Sequence, residues 1–206
     1  MILLWCLKFN FKQIIGRDDI IFFLSQIKEK HPVLISEVLK YYTVGDIRKV
    51  LLELLDENVS IQNIITILET MTDFGSDKHN FDVILENVRV AIGRDICFPY
   101  LCDKTLKAVS FEYSFEKLIN INFIDTEEGK ILNDTYLKIV QANIINAVSI
   151  LKEKNIKPVL IYGQLNRKLI WNIASKQDRE ISVISIAEIP NDINVEFIFE
   201  MKNDAI

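Results

Sequence analysis

Glycine is scarce and dispersed in this chain. Its six glycines, Gly16, Gly45, Gly75, Gly93, Gly129 and Gly163, stand too far apart to assemble a phosphate-cradling loop or the glycine-rich turn of a dinucleotide site. Histidine is scarcer still. His31 and His79 lie in turn-like sequences, no His-Glu-x-x-His pair is present, and no Gly-x-Ser-x-Gly nucleophile elbow occurs. Cys6, Cys97 and Cys102 are odd in number and widely spaced, a pattern of a reducing compartment rather than of a disulfide framework. A zinc site at Cys97-x4-Cys102 would need two further ligands. No apolar run approaches the roughly 20 residues that span a bilayer. Residues 1–7, MILLWCL, lack the basic leader and small-residue cleavage site of a signal peptide. No cofactor, metal site or catalytic residue is expected, and the chain reads as non-enzymatic.

Excess positive charge is also missing. Lys and Arg number 24 against 29 Asp and Glu, a formal charge of −5, which argues against a nucleic-acid surface. Lys28 and Lys30, like Lys152, Lys154 and Lys157, are interrupted by acids or apolar residues and read as solvated helix ends. Half of the 206 residues are apolar, enough for one domain or two small ones with cores of their own.

What the chain does contain is strong helical patterning. In residues 43–73, Ile47, Val50, Leu51, Leu54 and Leu55 recur on one stripe, and Ile61, Ile64, Ile65, Leu68 and Met71 or Thr72 repeat it. Thr43 with Asp46 predicts a capping box, Ser60 predicts the cap of the second helix, and the elbow Asn58-Val59-Ser60-Ile61 folds the pair into a helical hairpin. Before it, Asp18 or Asp19 starts a helix carrying Ile20, Phe23, Leu24 and Ile27 that stops at His31-Pro32. A second helix follows with Val33, Leu34, Val38 and Leu39. After a polar loop at residues 75–79, Phe81, Ile84, Leu85, Val88, Ala91 and Ile92 mark a fifth helix.

Beyond Phe98-Pro99 the pattern changes. Val109, Phe111 and Tyr113 alternate as a half-buried strand, and residues 125–130 read as a polar loop whose Asp125, Glu127 and Glu128 lack the spacing of a calcium loop. Asp134 caps a long helix with its stripe at Leu137, Val140, Ile144, Ala147, Val148 and Leu151, ending before Pro158. Residues 158–162 form a buried strand, Gly163 turns into a helix with Leu169, Ile170 and Ile173, and residues 181–186 form another strand. That crossover predicts parallel pairing. Ile193, Val195, Phe197 and Phe199 alternate as a last strand. The expected fold is α+β in several subdomains. Residues 1–15 end a preceding subdomain, 16–96 form a helical hairpin bundle, and 97–206 form a small α/β subdomain with a mixed sheet.

Residues 16–38, 44–75 and 81–96, with the core Val59-Ser60-Ile61 and Ile67-Leu68-Glu69, resemble the cytosolic C-terminal region of the type III protein export gate family, FlhA in flagella and SctV, InvA or MxiA in injectisomes. Residues 157–173 and 181–198, with a Pro-Val-Leu strand, a basic helix and a Ser-x-x-Glu-Ile-Pro turn, look like the family's last subdomain. The resemblance runs from about residue 12 to 200 and is loose between 103 and 130. It implies a nonameric ring of cytosolic domains under a transmembrane gate, at the cytoplasmic face of the bacterial inner membrane. Chaperone–substrate complexes, the export ATPase's stalk and other gate components would dock on that ring. It places 17–96 in a third subdomain with ring contacts and 97–206 in a fourth that opens or closes a docking cleft.

Candidates for ring or partner contacts are Arg48, Lys49, Glu53, Asp56, Glu57, Arg89 and Arg94, charged residues off the apolar stripes or at a helix end. An alternative from another class is a truncated binding adaptor that keeps the fold but acts outside export. A third reading, a small-molecule enzyme, would use the crossover at Tyr162-Gly163-Gln164 with Arg167 or Lys168 contacting the ligand.

Overall fold

The computed structural model describes residues 15–75, 80–127 and 129–203. Expectations placed on residues 1–14, on His79 and on Glu128 lie outside these. The chain divides between Ile96 and Cys97 into two compact units.

The first unit is helical: α1 (Arg17–Lys30), α2 (Pro32–Tyr41), α3 (Val44–Asp56), α4 (Ile64–Asp73), α5 (Phe81–Ala91) and α6 (Gly93–Cys97), whose last residue enters the second unit. The capping box at α3 is present: the Asp46 backbone N–H donates to Thr43 Oγ1 at 3.2 Å and the Thr43 N–H donates to the Asp46 carboxylate at 2.9 Å. Two orphan donors are thereby satisfied, an effect of about 1 kcal/mol. α3 then ends in a Schellman turn. Val59 N–H donates to Leu54 O and Asn58 N–H to Leu55 O, with Asn58 at φ 58° in the left-handed region that Asn tolerates. Val59 is buried as the apolar residue that completes this motif.

Ser60 does not cap the next helix. α4 begins at Ile64 with Asn63 at its N-cap, and Ser60 Oγ instead accepts the Gln62 N–H at 3.3 Å in a local turn. A serine two residues before an acceptable partner closes this short ring more readily than it reaches a helix four residues on. The two stripes are buried, yet their chief neighbours lie elsewhere: α3 packs on α1 and α5, and α4 on α2 and α5. The stripes of residues 43–73 thus meet a five-helix core more than each other. In α2, Ile35 and Val38 are buried, whereas Val33 and Leu39 are exposed; the stripe is rotated because Ile35 also fits a helical repeat with Val38. Ala91 is exposed as well.

Gly75 closes α4 against α2. A Cβ at Gly75 would lie 2.5 Å from Tyr41 Cγ and 2.7 Å from its Cβ, atoms too near the backbone to swing away. Gly75→Ala is therefore expected to lower the urea stability of the helical unit by about 1–3 kcal/mol. An unchanged midpoint in chemical denaturation would remove this constraint.

The second unit holds a five-stranded sheet. β1 (Leu101–Cys102) and β2 (Thr105–Phe111) pair antiparallel across a tight turn in which Asp103 and Lys104 both have positive φ, as a type I′ hairpin requires. β2 pairs parallel with β5 (Val159–Tyr162) and with β7 (Asn194–Met201), and β5 pairs parallel with β6 (Ser182–Ser185). The parallel crossover predicted for residues 158–186 is present. Its helix, α9 (Arg167–Ala174), follows a 3-10 turn at Gln164–Asn166.

Alternation does not carry through β2. Ala108 and Val109 are both buried, and the register with β7 shifts between them: the irregularity resets the alternation by one residue, so Leu106, Ala108, Val109 and Phe111 are buried while Thr105, Lys107 and Ser110 stay half-buried. Tyr113 is not in this strand. It starts α7 (Tyr113–Ile121), and the expected polar loop is the hairpin of β3 (Phe123–Thr126) and β4 (Gly129–Leu132). α8 (Asp134–Glu153) is capped by Asn133, whose side chain accepts the Tyr136 N–H at 3.0 Å, one residue earlier than Asp134. It ends as α3 does: Ile156 N–H donates to Leu151 O and Asn155 N–H to Lys152 O, with Asn155 at φ 55°. Phe111 packs edge-on to Tyr162 at 5.1 Å between ring centroids, and Phe115 of α7 joins them.

Candidate interaction surfaces

The seven charged candidates of the helical unit separate into three groups. Glu57 and Arg89 are not on its surface. Glu57 caps the C-terminus of α3 and is 2 % exposed, Arg89 in the last turn of α5 is 1 % exposed, and Arg89 Nη1 donates to Glu57 Oε2 at 3.1 Å. Leu85 already signals this in the sequence: Arg89 stands four residues on and so falls on the buried stripe. A carboxylate at a helix C-terminus opposes the macrodipole, and the guanidinium neutralises it.

Arg48 and Lys49 are engaged locally. Arg48 is half-buried and its Nε donates to Ile15 O at 2.6 Å, while the exposed Lys49 holds its ammonium 3.7 Å from the Phe81 ring centroid. Glu53 and Asp56 are half-buried, and Arg94 is exposed. Lys49 and Arg94 are thus the exposed members of the seven, with Arg48, Glu53 and Asp56 half-buried beside solvent.

In the second unit, the carboxyl end of β5 is closed by side chains of α7, which sequence reasoning missed. Glu116 Oε1 accepts the Gly163 N–H at 3.0 Å, and Asn120 Oδ1 accepts both the Tyr162 hydroxyl and the Asn166 side-chain amide at 2.8 Å. Lys130 Nζ lies 3.5 Å from Asn166 Oδ1. The signal was the pair Phe115 and Ile119, one helical turn apart and both buried, hidden by the preceding strand-like alternation.

The ligand-contacting residues of the enzyme reading are committed elsewhere. Arg167 is fully buried, its Nε 3.4 Å from Glu188 Oε1 and its Nη1 donating to Val183 O at 3.2 Å. Lys168 is half-buried with its ammonium 4.3 Å from the Trp171 ring centroid. Three apolar side chains project instead just past the ends of the adjacent parallel strands β2, β5 and β6: Tyr113, Leu165 and Ile186 are all exposed. That edge suits an apolar partner surface better than a small polar ligand.

Burial pushes the Glu116 carboxyl above its ordinary value of 4.5, with the Gly163 N–H partly offsetting the rise. Burial and the Glu116 carboxylate push the Tyr162 phenol upward. A raised folded-state value means that the native state binds the proton more tightly. The contribution is then fully present below 4.5 and is lost as pH rises through the higher native value. Glu116→Gln keeps an acceptor for Gly163 without the charge. Its stability advantage over the parent chain is expected to be larger at about pH 7 than at about pH 4, read as paired urea midpoints. An advantage independent of pH would contradict it.

Comparison with known proteins fits this two-unit arrangement. The family model described as "FHIPEP family" matches residues 2–194. The flagellar biosynthesis protein FlhA of Borreliella burgdorferi is 31 % identical over 186 residues, covering 89 % of this chain and 27 % of that protein. The chain thus spans about a quarter of the length of the curated relatives it matches. Among solved structures, nonameric SctV-C of EPEC superposes with a TM-score of 0.84 at 21 % identity, over 96 % of this chain and 60 % of that one. The Chlamydia pneumoniae CdsV in its complex with CdsO superposes with a TM-score of 0.86 at 18 % identity, over 97 % and 59 %. These two likenesses establish the fold. No helix among the described residues is long and apolar enough to cross a membrane. The extent of the family match, covering the helical unit and nearly all of the α/β unit, settles the assignment: this chain belongs to the FHIPEP family.

Proposed function

We propose that the chain supplies the last two subdomains of the cytosolic part of a type III protein export gate, residues 16–96 and 97–206, with 1–15 as the end of the subdomain before them. It acts as a non-enzymatic ring-forming and docking module at the cytoplasmic face of the bacterial inner membrane. The observation that carries this reading is the match of the FHIPEP family model across residues 2–194, which takes in the helical unit and the α/β unit in one order. The solved relative described as nonameric SctV-C supports a homo-oligomeric ring, and the relative solved with CdsO supports docking of other proteins.

Under this reading Lys49 and Arg94, with Arg48, Glu53 and Asp56 beside them, are the ring or partner contacts of the helical unit, and Glu57 and Arg89 are withdrawn from that role. Export chaperones with their substrates and the stalk of the export ATPase are the proposed partners. The reading is tested by joining the chain to the upstream subdomains of a full-length relative and imaging the product by electron microscopy. Rings that are lost on combined reversal of Lys49, Glu53 and Arg94 are expected. A product that stays monomeric at high concentration would overturn the ring role. The adaptor alternative has no observation in its favour.

A further inference from the structure

We infer that the groove between α1 and α3 is the seat of the chain's own N-terminal segment, with Phe11 as the side chain that fills it. Ile20 and Phe23 of α1, Leu51, Leu52 and Leu55 of α3, and Ile61 just past the elbow line this groove, which measures about 230 Å³. Asp19 is the one charged residue among the described lining, and its carboxylate is committed to capping α1, where Oδ2 accepts the Gly16 N–H at 2.7 Å. The walls are therefore apolar and offer little to a polar ligand. An apolar cavity of about 150 Å³ already holds a benzene ring, so this groove has room for a phenylalanine side chain.

Ile15 marks the way in. It lines the groove, its carbonyl accepts Arg48 Nε at 2.6 Å, and Gly16 after it is extended at φ −83° and ψ 178°. The chain thus enters α1 from an anchored point on the groove wall. Upstream, Leu7-Lys8-Phe9-Asn10-Phe11-Lys12 alternates apolar with polar residues, and its apolar members share the odd numbering of Ile15. Residues two apart share a face of an extended segment. The face that brings Ile15 to the groove therefore brings Phe9 and Phe11 as well, while Lys8, Asn10 and Lys12 turn away. Gln13 is the one polar residue on the apolar side. Phe11 stands four residues before Ile15, a reach of about 13–14 Å when extended, enough to cross the roughly 10–12 Å width of a helix.

Chain continuity selects this occupant over a foreign one. A segment joined to the groove wall by a few residues meets it at an effective concentration in the roughly millimolar range, so a second copy or a partner peptide would first have to displace it. The seating ties the segment before the helical unit to α1 and α3. It goes beyond the ring and docking reading and stands whether or not rings form.

The test uses the complete chain with methyl-labelled leucine and isoleucine. Nuclear Overhauser contacts are expected between the Phe11 ring and methyl groups of Leu51, Leu52 or Leu55, arising within one chain in a mixture of labelled and unlabelled protein. Phe11→Ser should lower hydrogen-exchange protection of the α1 and α3 amides by about tenfold or more, with the far-UV spectrum retained, whereas Lys12→Ser, one residue on and facing away, should leave it unchanged. Added indole should restore part of the protection lost in Phe11→Ser by entering the groove. Absence of these contacts in the parent chain overturns the inference, and so does an equal loss of protection in the two variants. Contacts that arise only between chains assign the groove to a second copy and overturn it too. Should Phe11→Ser fail to fold, the contacts in the parent chain decide.

Discussion

Arg89→Met is expected to destabilise the helical unit by about 3–5 kcal/mol, because it leaves the Glu57 carboxylate buried without its counter-charge. The geometry explains the size. Glu57 is 2 % exposed and Arg89 is 1 % exposed, so neither charge can recover hydration when its partner goes. A small domain is stable by only about 5–15 kcal/mol in total, so this one change takes a large share. Glu57→Leu should also be destabilising, since it removes the carboxylate that Arg89 Nη1 meets at 3.1 Å.

The double variant is the informative measurement. Removing both charges removes the desolvation penalty with the attraction, so Glu57→Leu with Arg89→Met should be much more stable than either single variant, giving a coupling energy of at least about 2 kcal/mol in a double-mutant cycle. Hydrogen exchange of the α3 and α5 amides reads the effect in this unit alone. Additive losses in the double variant would show that the two side chains act independently, and the buried-pair account would fail.

The helical unit was legible because its stripes, capping box and proline stop are local. Thr43 with Asp46, the His31-Pro32 boundary and the Leu51, Leu54 repeat are written within one or two turns of chain. What was not legible is which stripe meets which. Residues 43–73 read as a hairpin closed on itself, yet α3 and α4 take their main contacts from α1, α2 and α5; an apolar stripe states that it is buried and not by what. Charge misled in the same way. Arg89 looked like a helix-end cation, but its position four residues after Leu85 outweighed its type once Glu57 supplied a partner from another helix.

In the α/β unit, the parallel crossover followed from Pro158, Gly163 and the two aliphatic runs around them. The stretch of residues 105–132 did not, because a register shift between Ala108 and Val109 resets the alternation of its strand, and because α7 is short with only Phe115 and Ile119 fully inside. The acidic residues between Thr126 and Gly129 make this stretch resemble a solvated loop by composition. Pairing register, which sequence does not print, makes it a hairpin.

Arg167→Met is expected to cost the α/β unit about 3–5 kcal/mol for the same physical reason at a second site. Arg167 begins α9, where the macrodipole disfavours a cation, and it is nevertheless fully buried. Glu188 compensates: its Oε1 lies 3.4 Å from Arg167 Nε and also accepts from the Ser185 backbone at 3.2 Å and hydroxyl at 3.1 Å. Arg167 Nη1 in turn donates to Val183 O in β6. One carboxylate therefore ties the end of β6, its 3-10 turn and the start of α9. Ser185→Ala should cost only about 1 kcal/mol, since it removes a single neutral donor and leaves the ion pair. Trp171, one turn beyond Arg167 in α9, reports on this unit by fluorescence in a Trp5→Phe background. A midpoint for Arg167→Met within about 1 kcal/mol of that for Ser185→Ala would show that Glu188 is held without its counter-charge. The two segments that carry the family resemblance, the elbow after α3 and the Ser185-Ile186-Ala187-Glu188 turn, each place one acidic residue against a buried arginine from another element. Both contacts are packing requirements at element ends, and any docking chemistry falls to the exposed residues around them.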